Sequence, residues 1–282
     1  MPVLDHMDTC TLYVAVDDYY INKLLLSFPT WLLCHPELLN MNILIIFDAD
    51  PASDRRMKPD DSRFKQLGEI WNEYREYHKR GKAFYMRVVG WKMPDATSQR
   101  ERMLTALVHG VAYVQTPWYL KLDADTYATE PKGFYYDRWF KGRPAFIGNH
   151  WGYTKPGTAL CDLNLWSEKI PELRGLSGWP VEGQVIARGE DPAWKVNHHR
   201  MASWVMFGLT EWCQSTLQYL GDDLCLPFPS QDTYFSYLAA LTGRHFLANS
   251  ETNFRRYGFE HCRNEGGLRA ACEKTIAEHR KK

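Results

Sequence analysis

The stretch WYLKLDADTYA, Trp118 to Ala128, decides the fold. Trp118, Leu120 and Leu122 alternate with Tyr119 and Lys121, which is the periodicity of a strand. The strand runs into two carboxylates, Asp123 and Asp125. Two residues apart on an extended backbone, they project to the same side. Two carboxylates on one side repel unless a cation or protons sit between them. A hard divalent ion, Mg2+ or Mn2+, suits an all-oxygen pair. An isolated D-x-D after a strand is most often only a polar turn. The apolar strand in front, and the segments around it, favour a site.

Working outward, the chain before this stretch alternates strand and helix. Thr11 to Val16 (TLYVAV) predicts a buried strand ending at Asp17-Asp18. An apolar helix is expected from Tyr20 to about Leu33, with a kink or restart at Pro29, which lacks the N–H a helix needs. Met41 to Phe47 (MNILIIF) predicts a second buried strand ending at Asp48. Ser62 to Arg80 reads as an amphipathic helix, with Phe64, Leu67, Trp71, Tyr74 and Tyr77 on one face and Gly81 as its stop. Ala83 to Val89 predicts a third strand. Ser98 and Glu101 form a capping box for a helix that reaches His109 and stops at Gly110; Met103, Leu104 and Leu107 make its apolar stripe, flanked by Arg100 and Arg102. This alternation predicts an α/β fold, a mostly parallel central sheet with helices on both faces. Such sheets bind ligands beyond the carboxyl ends of their strands. Asp17, Asp48, Asp123 and Asp125 all fall at strand ends in this scheme.

After Ala128 the pattern loosens. Pro144 to Gly148 and Ser203 to Gly208 (SWVMFG) have strand character, and residues 151–200 read as loops with short helices. Thr233 to Leu241 predicts a short helix, Arg244 to Leu247 a last strand, and Gly266 to Lys282 a terminal helix. No linker interrupts the chain, so a single domain over residues 1–282 is expected, loop-rich in its second half.

Composition narrows the function. The 282 residues can bury a full core. Lys and Arg equal Asp and Glu in number, which counts against a nucleic-acid backbone as partner or acceptor. The 11 Trp suit stacking on sugar faces as well as a core. For Trp151, Trp179 and Trp194 in the middle of the chain, core packing is the plainer role. The seven Cys show no C-x-x-C pair, which predicts reduced thiols and a cytoplasmic setting. The N-terminus has no signal pattern, and no run reaches the length of a membrane span.

Four features in this order resemble the nucleotide-sugar-dependent glycosyltransferases of the A-type (GT-A) fold. They are the strand–helix alternation at the N-terminus, the Arg-bearing helix of SQRERMLTALVHGVAYV, the strand end KLDADTY, and the late SWVMFGLTEW strand followed by PSQDTYFSYLAAL. The resemblance spans roughly residues 11–262. It implies a metal-dependent glycosyltransferase that moves a sugar from a nucleotide-diphosphate sugar, a UDP-sugar first, to the hydroxyl of a glycan, a lipid-linked molecule or another acceptor. It divides the chain into a nucleotide-sugar-binding half, about 1–128, and an acceptor-binding half, about 129–282. Mn2+ or Mg2+ would lie on Asp123 and Asp125, with His261 of RYGFEHC as third ligand and His245 as the alternative. Asp232 would be the general base on the acceptor, in which case the anomeric carbon inverts. Its other reading is a helix N-cap, and the family's Glu-Asp is here Gln231-Asp232. Val14, Ala15 and Val16 would line the base of the donor, Asp48 would accept from base or ribose, and Arg102, Arg255 and Arg256 would meet base or diphosphate. His198 and His199 would stand near the acceptor without binding metal.

Three other readings compete. A sugar-phosphate nucleotidyltransferase would carry a Gly-rich loop after the first strand, where this chain has DDYYIN. A phosphatase with an Asp nucleophile would place D-x-D at the first strand. A non-catalytic carbohydrate-binding protein explains the aromatics but not the paired carboxylates. The basic excess from Arg255 onward would suit docking at a membrane surface.

Overall fold

The computed structural model describes residues 9–92, 99–132, 140, 143–153, 199–219, 234–235, 238–239, 247–248 and 254–280. Its elements in chain order are β1 (Cys10–Val16), α1 (Tyr20–Cys34), β2 (Asn42–Asp48), α2 (Ser62–His78), β3 (Met86–Trp91), α3 (Gln99–His109), β4 (Trp118–Leu122), β5 (Thr126–Ala128), β6 (Phe146–Tyr153), β7 (His199–Leu209), α4 (Thr210–Ser215), β8 (Leu247–Ala248), β9 (Phe259–His261) and α5 (Glu265–His279). Among the described residues, seven strands form one sheet in the order β3-β2-β1-β4-β7-β6-β8, and β5 pairs with β9 in a second, two-stranded sheet.

The expected α/β class holds. β3, β2, β1 and β4 run parallel; the near-continuous apolar sequences of β1, β2 and β4 are those of strands covered on both faces, and β3, at the sheet edge, is only half-buried. β7 then joins β4 antiparallel and brings the second half of the chain into the same sheet. The chain leaves β1 toward β2 and β3, then returns to lay β4 on the other side of β1. That reversal opens a crevice at the carboxyl ends of β1 and β4, the position where sheets of this kind take ligands. Asp17 follows β1 and Asp123 follows β4.

Several local expectations shift. α1 runs through Pro29 without a restart. The hydrogen bond that proline forfeits is one contact among many, because Phe28, Trp31 and Leu32 on either side of it are buried in the core. α2 ends at His78: Lys79 adopts the left-handed conformation, φ 50°, and its N–H donates to Arg75 O and Glu76 O. Gly81 follows at φ +97°, where a Cβ would lie 2.5 Å from Leu39 Cβ, so the glycine serves the turn beyond the helix. β3 begins at Met86, not Ala83, and β6 starts at Phe146 and reaches Tyr153, while β7 starts at His199; these two strands trim the loop expected over 151–200 at both ends. Residues 154–198 lie outside the described residues, as do Ser98, Trp179, Trp194 and His198. β9 was not expected; it is three residues long and too short to show a period.

β4 is positioned by close packing around Gly208. A Cβ there would sit 2.3 Å from the Tyr119 ring. Tyr119 is fully buried, lies edge-on to Tyr13 and donates from its hydroxyl to Cys213 Sγ at 3.2 Å. Gly208→Ala is therefore expected to destabilise the protein by about 1–3 kcal/mol, read as a lower urea midpoint with an unchanged m-value.

Candidate metal centre

Beyond Leu122 the chain leaves the sheet. Asp123 N–H donates to Trp204 O on β7, and Thr126 N–H donates to Asp123 O, both at 2.9 Å. A tight turn through Ala124 and Asp125 results. The carboxylates converge through this turn, not through the strand alternation expected of an extended backbone. The register then pairs Thr126 with His261 across β5 and β9, and Cys262 N–H donates to Asp125 O at 3.0 Å. A sheet of two three-residue strands thus delivers a histidine from the far end of the sequence to the carboxylate turn. One ligand atom each from Asp123, Asp125 and His261 lie within 4.8 Å of one another, and His261 Nε2 is 3.0 Å from Asp125 Oδ1.

α1 grips this turn with polar side chains at helical spacing. Ser27 Oγ donates to Ala124 O at 2.8 Å, Trp31 Nε1 to Thr126 O at 2.6 Å, and Thr30 Oγ1 accepts from Ala128 N–H at 3.0 Å. Lys23, one turn before Ser27, places Nζ 3.4 Å from Asp125 Oδ2 and donates to Arg263 O at 2.6 Å. Lys121 forms an ion pair with Asp123. Asp123 keeps 32% of its side-chain surface open and Asp125 only 5%, so an ion would enter past Asp123. Trp204 stacks on His261, centroids 6.0 Å apart.

Burial works against the Asp125 anion, but the hydrogen bond and charge of His261 and the charge of Lys23 outweigh it and hold the carboxyl below the usual range. Tyr20 beside the site is pushed up to about 12, first by burial and then by the charges of Asp125, Asp123 and Asp17. The Asp125 shift has a defined sign. The folded state holds the proton less tightly than an unfolded Asp of pKa about 3.9, so the Asp125 contribution is fully present above that value and is lost as pH falls through the folded pKa. In an acid titration of the metal-free protein followed by circular dichroism, the stability difference between wild type and Asp125→Asn should shrink steadily below about pH 4.

Val14, Ala15 and Val16 are buried at the carboxyl end of β1, in the sheet core. Asp48 ends β2, and its carboxylate accepts from Asp50 N–H and from Ser53 Oγ at 2.6 Å, closing its own loop. Arg102 turns to the loop after β2: its Nε lies 3.7 Å from Asp50 Oδ2, and both side chains are largely buried. Arg255 and Arg256 lie in the 3-10 turn Phe254–Tyr257 before β9, both exposed, with Arg255 Nε 3.4 Å from Glu260. Asp232 and His245 lie outside the described residues. Lys23, Ser27 and Trp204 were not anticipated from sequence. The signal available for the first two was a lysine and a serine at i and i+4 on the face of an otherwise apolar helix.

No family model matches the sequence, and no curated protein matches it. Solved structures do. The mannosyltransferase Ktr4p of S. cerevisiae aligns with a TM-score of 0.52 over 97% of this chain and 82% of its own, at 11% identity. Core-mannan synthase A of Aspergillus fumigatus, in its Mn/GDP form, aligns with a TM-score of 0.51 over 96% and 85%, at 10% identity. The galactosyltransferase LgtC, in complex with donor and acceptor sugar analogues, aligns with a TM-score of 0.50 over 94% and 95%, at 12% identity. The fold of this protein is the A-type glycosyltransferase fold.

Proposed function

We propose that the protein is a metal-dependent glycosyltransferase that moves a sugar from a nucleotide-diphosphate sugar to an acceptor hydroxyl. The observation that carries this reading is the convergence of Asp123, Asp125 and His261 at the carboxyl end of β4. Two carboxylates and an imidazole suit Mn2+ first, with Mg2+, which favours oxygen donors, second. A divalent ion bound there would stabilise the negative charge that develops on the diphosphate as the glycosidic bond breaks.

The chain's own residues do the rest. Asp125, held as an anion by His261 and Lys23, presents Oδ1 beside the imidazole of His261. Asp123 offers the more open carboxylate at the mouth of the site. The half of the chain to about residue 128 holds the donor, and the remainder holds a glycan, lipid-linked or other hydroxyl acceptor. A uridine donor is the first to test. The proteins that share the fold include mannosyl- and galactosyltransferases, one of them in a Mn/GDP form, so guanosine donors belong beside it. Among the described residues, no helix is long and apolar enough to cross a membrane, and Cys10, Cys34, Cys213, Cys262 and Cys272 are free thiols.

The test is a screen of UDP- and GDP-sugars with Mn2+, reading released nucleotide. Cleavage of one donor, abolished by chelator and restored by Mn2+, is expected; chelator-resistant turnover would exclude the metal. Asp232 is proposed as the base, and with it inversion at the anomeric carbon. Asp232→Asn should then bind donor normally and lose transfer by about 10²–10⁴-fold. A product of retained configuration would remove Asp232 from this role and leave the metal site standing.

A further inference from the structure

Each carboxylate of the site is matched to its own buried lysine. Lys121, 1% exposed, pairs with Asp123, and Lys23, 2% exposed, pairs with Asp125. Lys23 is built in firmly. Its ammonium donates to the Arg263 carbonyl and lies 4.7 and 4.9 Å from the ring centroids of Tyr19 and Tyr20. It joins α1, the carboxylate turn and the segment after β9, and it cannot swing to solvent without giving up all of these partners. The nearby Asp17 is likewise matched, with Arg55 Nη1 3.5 Å from its Oδ2.

This changes the electrostatics of the site. A bare pair of carboxylates attracts a divalent cation strongly, because their mutual repulsion is relieved at the same time. Here two ammoniums balance the two carboxylates before any ion arrives, and the imidazole of His261 stands against Asp125 as well. An ion reaching Asp125 Oδ1 meets an ammonium on the other oxygen of the same carboxylate. Cation beside buried cation is unfavourable unless negative charge comes with it. A diphosphate would supply that charge, offsetting both the ion and the lysines.

We infer that Lys23 and Lys121 make binding of the divalent ion conditional on a nucleoside diphosphate, so that ion and nucleotide enter as a unit and the ion alone is held weakly. The inference rests on the metal-site reading above and adds an order of assembly to it.

Manganese chloride titrated into the protein of residues 1–282, with free Mn2+ counted by electron paramagnetic resonance, tests it without activity. Affinities are measured alone and with UDP or GDP, corrected for the ion–nucleotide complex in buffer. The nucleotide should tighten Mn2+ at least about tenfold, and Mn2+ should tighten the nucleotide by the same factor, as linkage demands. Lys23→Met should bind Mn2+ alone about tenfold more tightly than wild type and lose most of the coupling, while Lys23→Arg should behave as wild type. If Lys23→Met does not fold, Lys121→Met and the wild-type linkage carry the test. Equal Mn2+ affinity with and without nucleotide overturns the inference and spares the metal site. Weaker binding of Mn2+ alone by folded Lys23→Met also overturns it, making the lysine a positioning residue for Asp125. No Mn2+ binding under any condition removes the metal site, and the inference with it.

Discussion

Asp125→Asn is expected to abolish manganese binding and donor cleavage together, with turnover falling by at least about 10²–10³-fold. Asp125 is the carboxylate at the centre of the site: His261 lies on one of its oxygens and Lys23 on the other. The amide keeps the shape of the side chain and removes its charge, so loss of function follows from chemistry and not from a cavity. The same change leaves the Lys23 ammonium buried opposite a neutral group. Breaking a buried pair from one side costs about 3–5 kcal/mol, a fall of about 5–8 °C in Tm for a protein of this size. Asp123→Asn provides the contrast. Asp123 is more open to solvent, so its variant should lose the metal with a smaller thermal penalty. Calorimetry on both variants, beside Mn2+ titrations, separates the two effects. An Asp125→Asn protein that still releases nucleotide in a manganese-dependent way would show that the ion is held elsewhere.

Trp31→Ala should be the most damaging substitution remote from the ligands, at about 3–5 kcal/mol. Trp31 is fully buried in α1, packs edge-on against Phe28 and donates from Nε1 to the carbonyl of Thr126. Thr126 follows Asp125 directly and pairs with His261. The tryptophan therefore ties the helix core to the strand pair that brings carboxylate and imidazole together. Trp31→Phe isolates the polar part of this role. It preserves most of the apolar contact and leaves the Thr126 carbonyl without its partner, which costs about 1–3 kcal/mol. Its Mn2+ affinity, measured with nucleotide present, should fall about tenfold, in the range seen when the groups that orient metal ligands are removed. Unchanged affinity in a folded Trp31→Phe protein would show that the β5–β9 pair holds its shape without the helix.

The strands and helices that build the sheet were legible in the sequence because their signals are local and repeat. The apolar runs at Thr11–Val16 and Met41–Phe47 and the helical stripe from Phe64 to Tyr77 each name their element within a few residues, and the segment WYLKLDADTY marks where the fourth strand stops and its acids begin. From the alternation alone follow a parallel sheet and a ligand crevice at the carboxyl ends of its strands. Only the resemblance in motif order to A-type glycosyltransferases points to His261; the residues around it carry no local signal of metal binding.

What holds the site depends on contacts between segments far apart in the chain. Lys23 and Asp125 are separated by 102 positions, and Lys23 and Arg263 by 240. Nothing in the periodicity of α1 says which of its turns will face the carboxylates. The turn at Ala124, in place of a continued strand, requires Trp204 on a strand that arrives from the second half of the chain. Pairing of β5 with β9 requires two three-residue segments to meet, and neither has a pattern of its own. Local sequence sets backbone preference and apolar facing, which are properties of neighbours. The matching of buried charges is a property of proximity, and only the folded chain decides it.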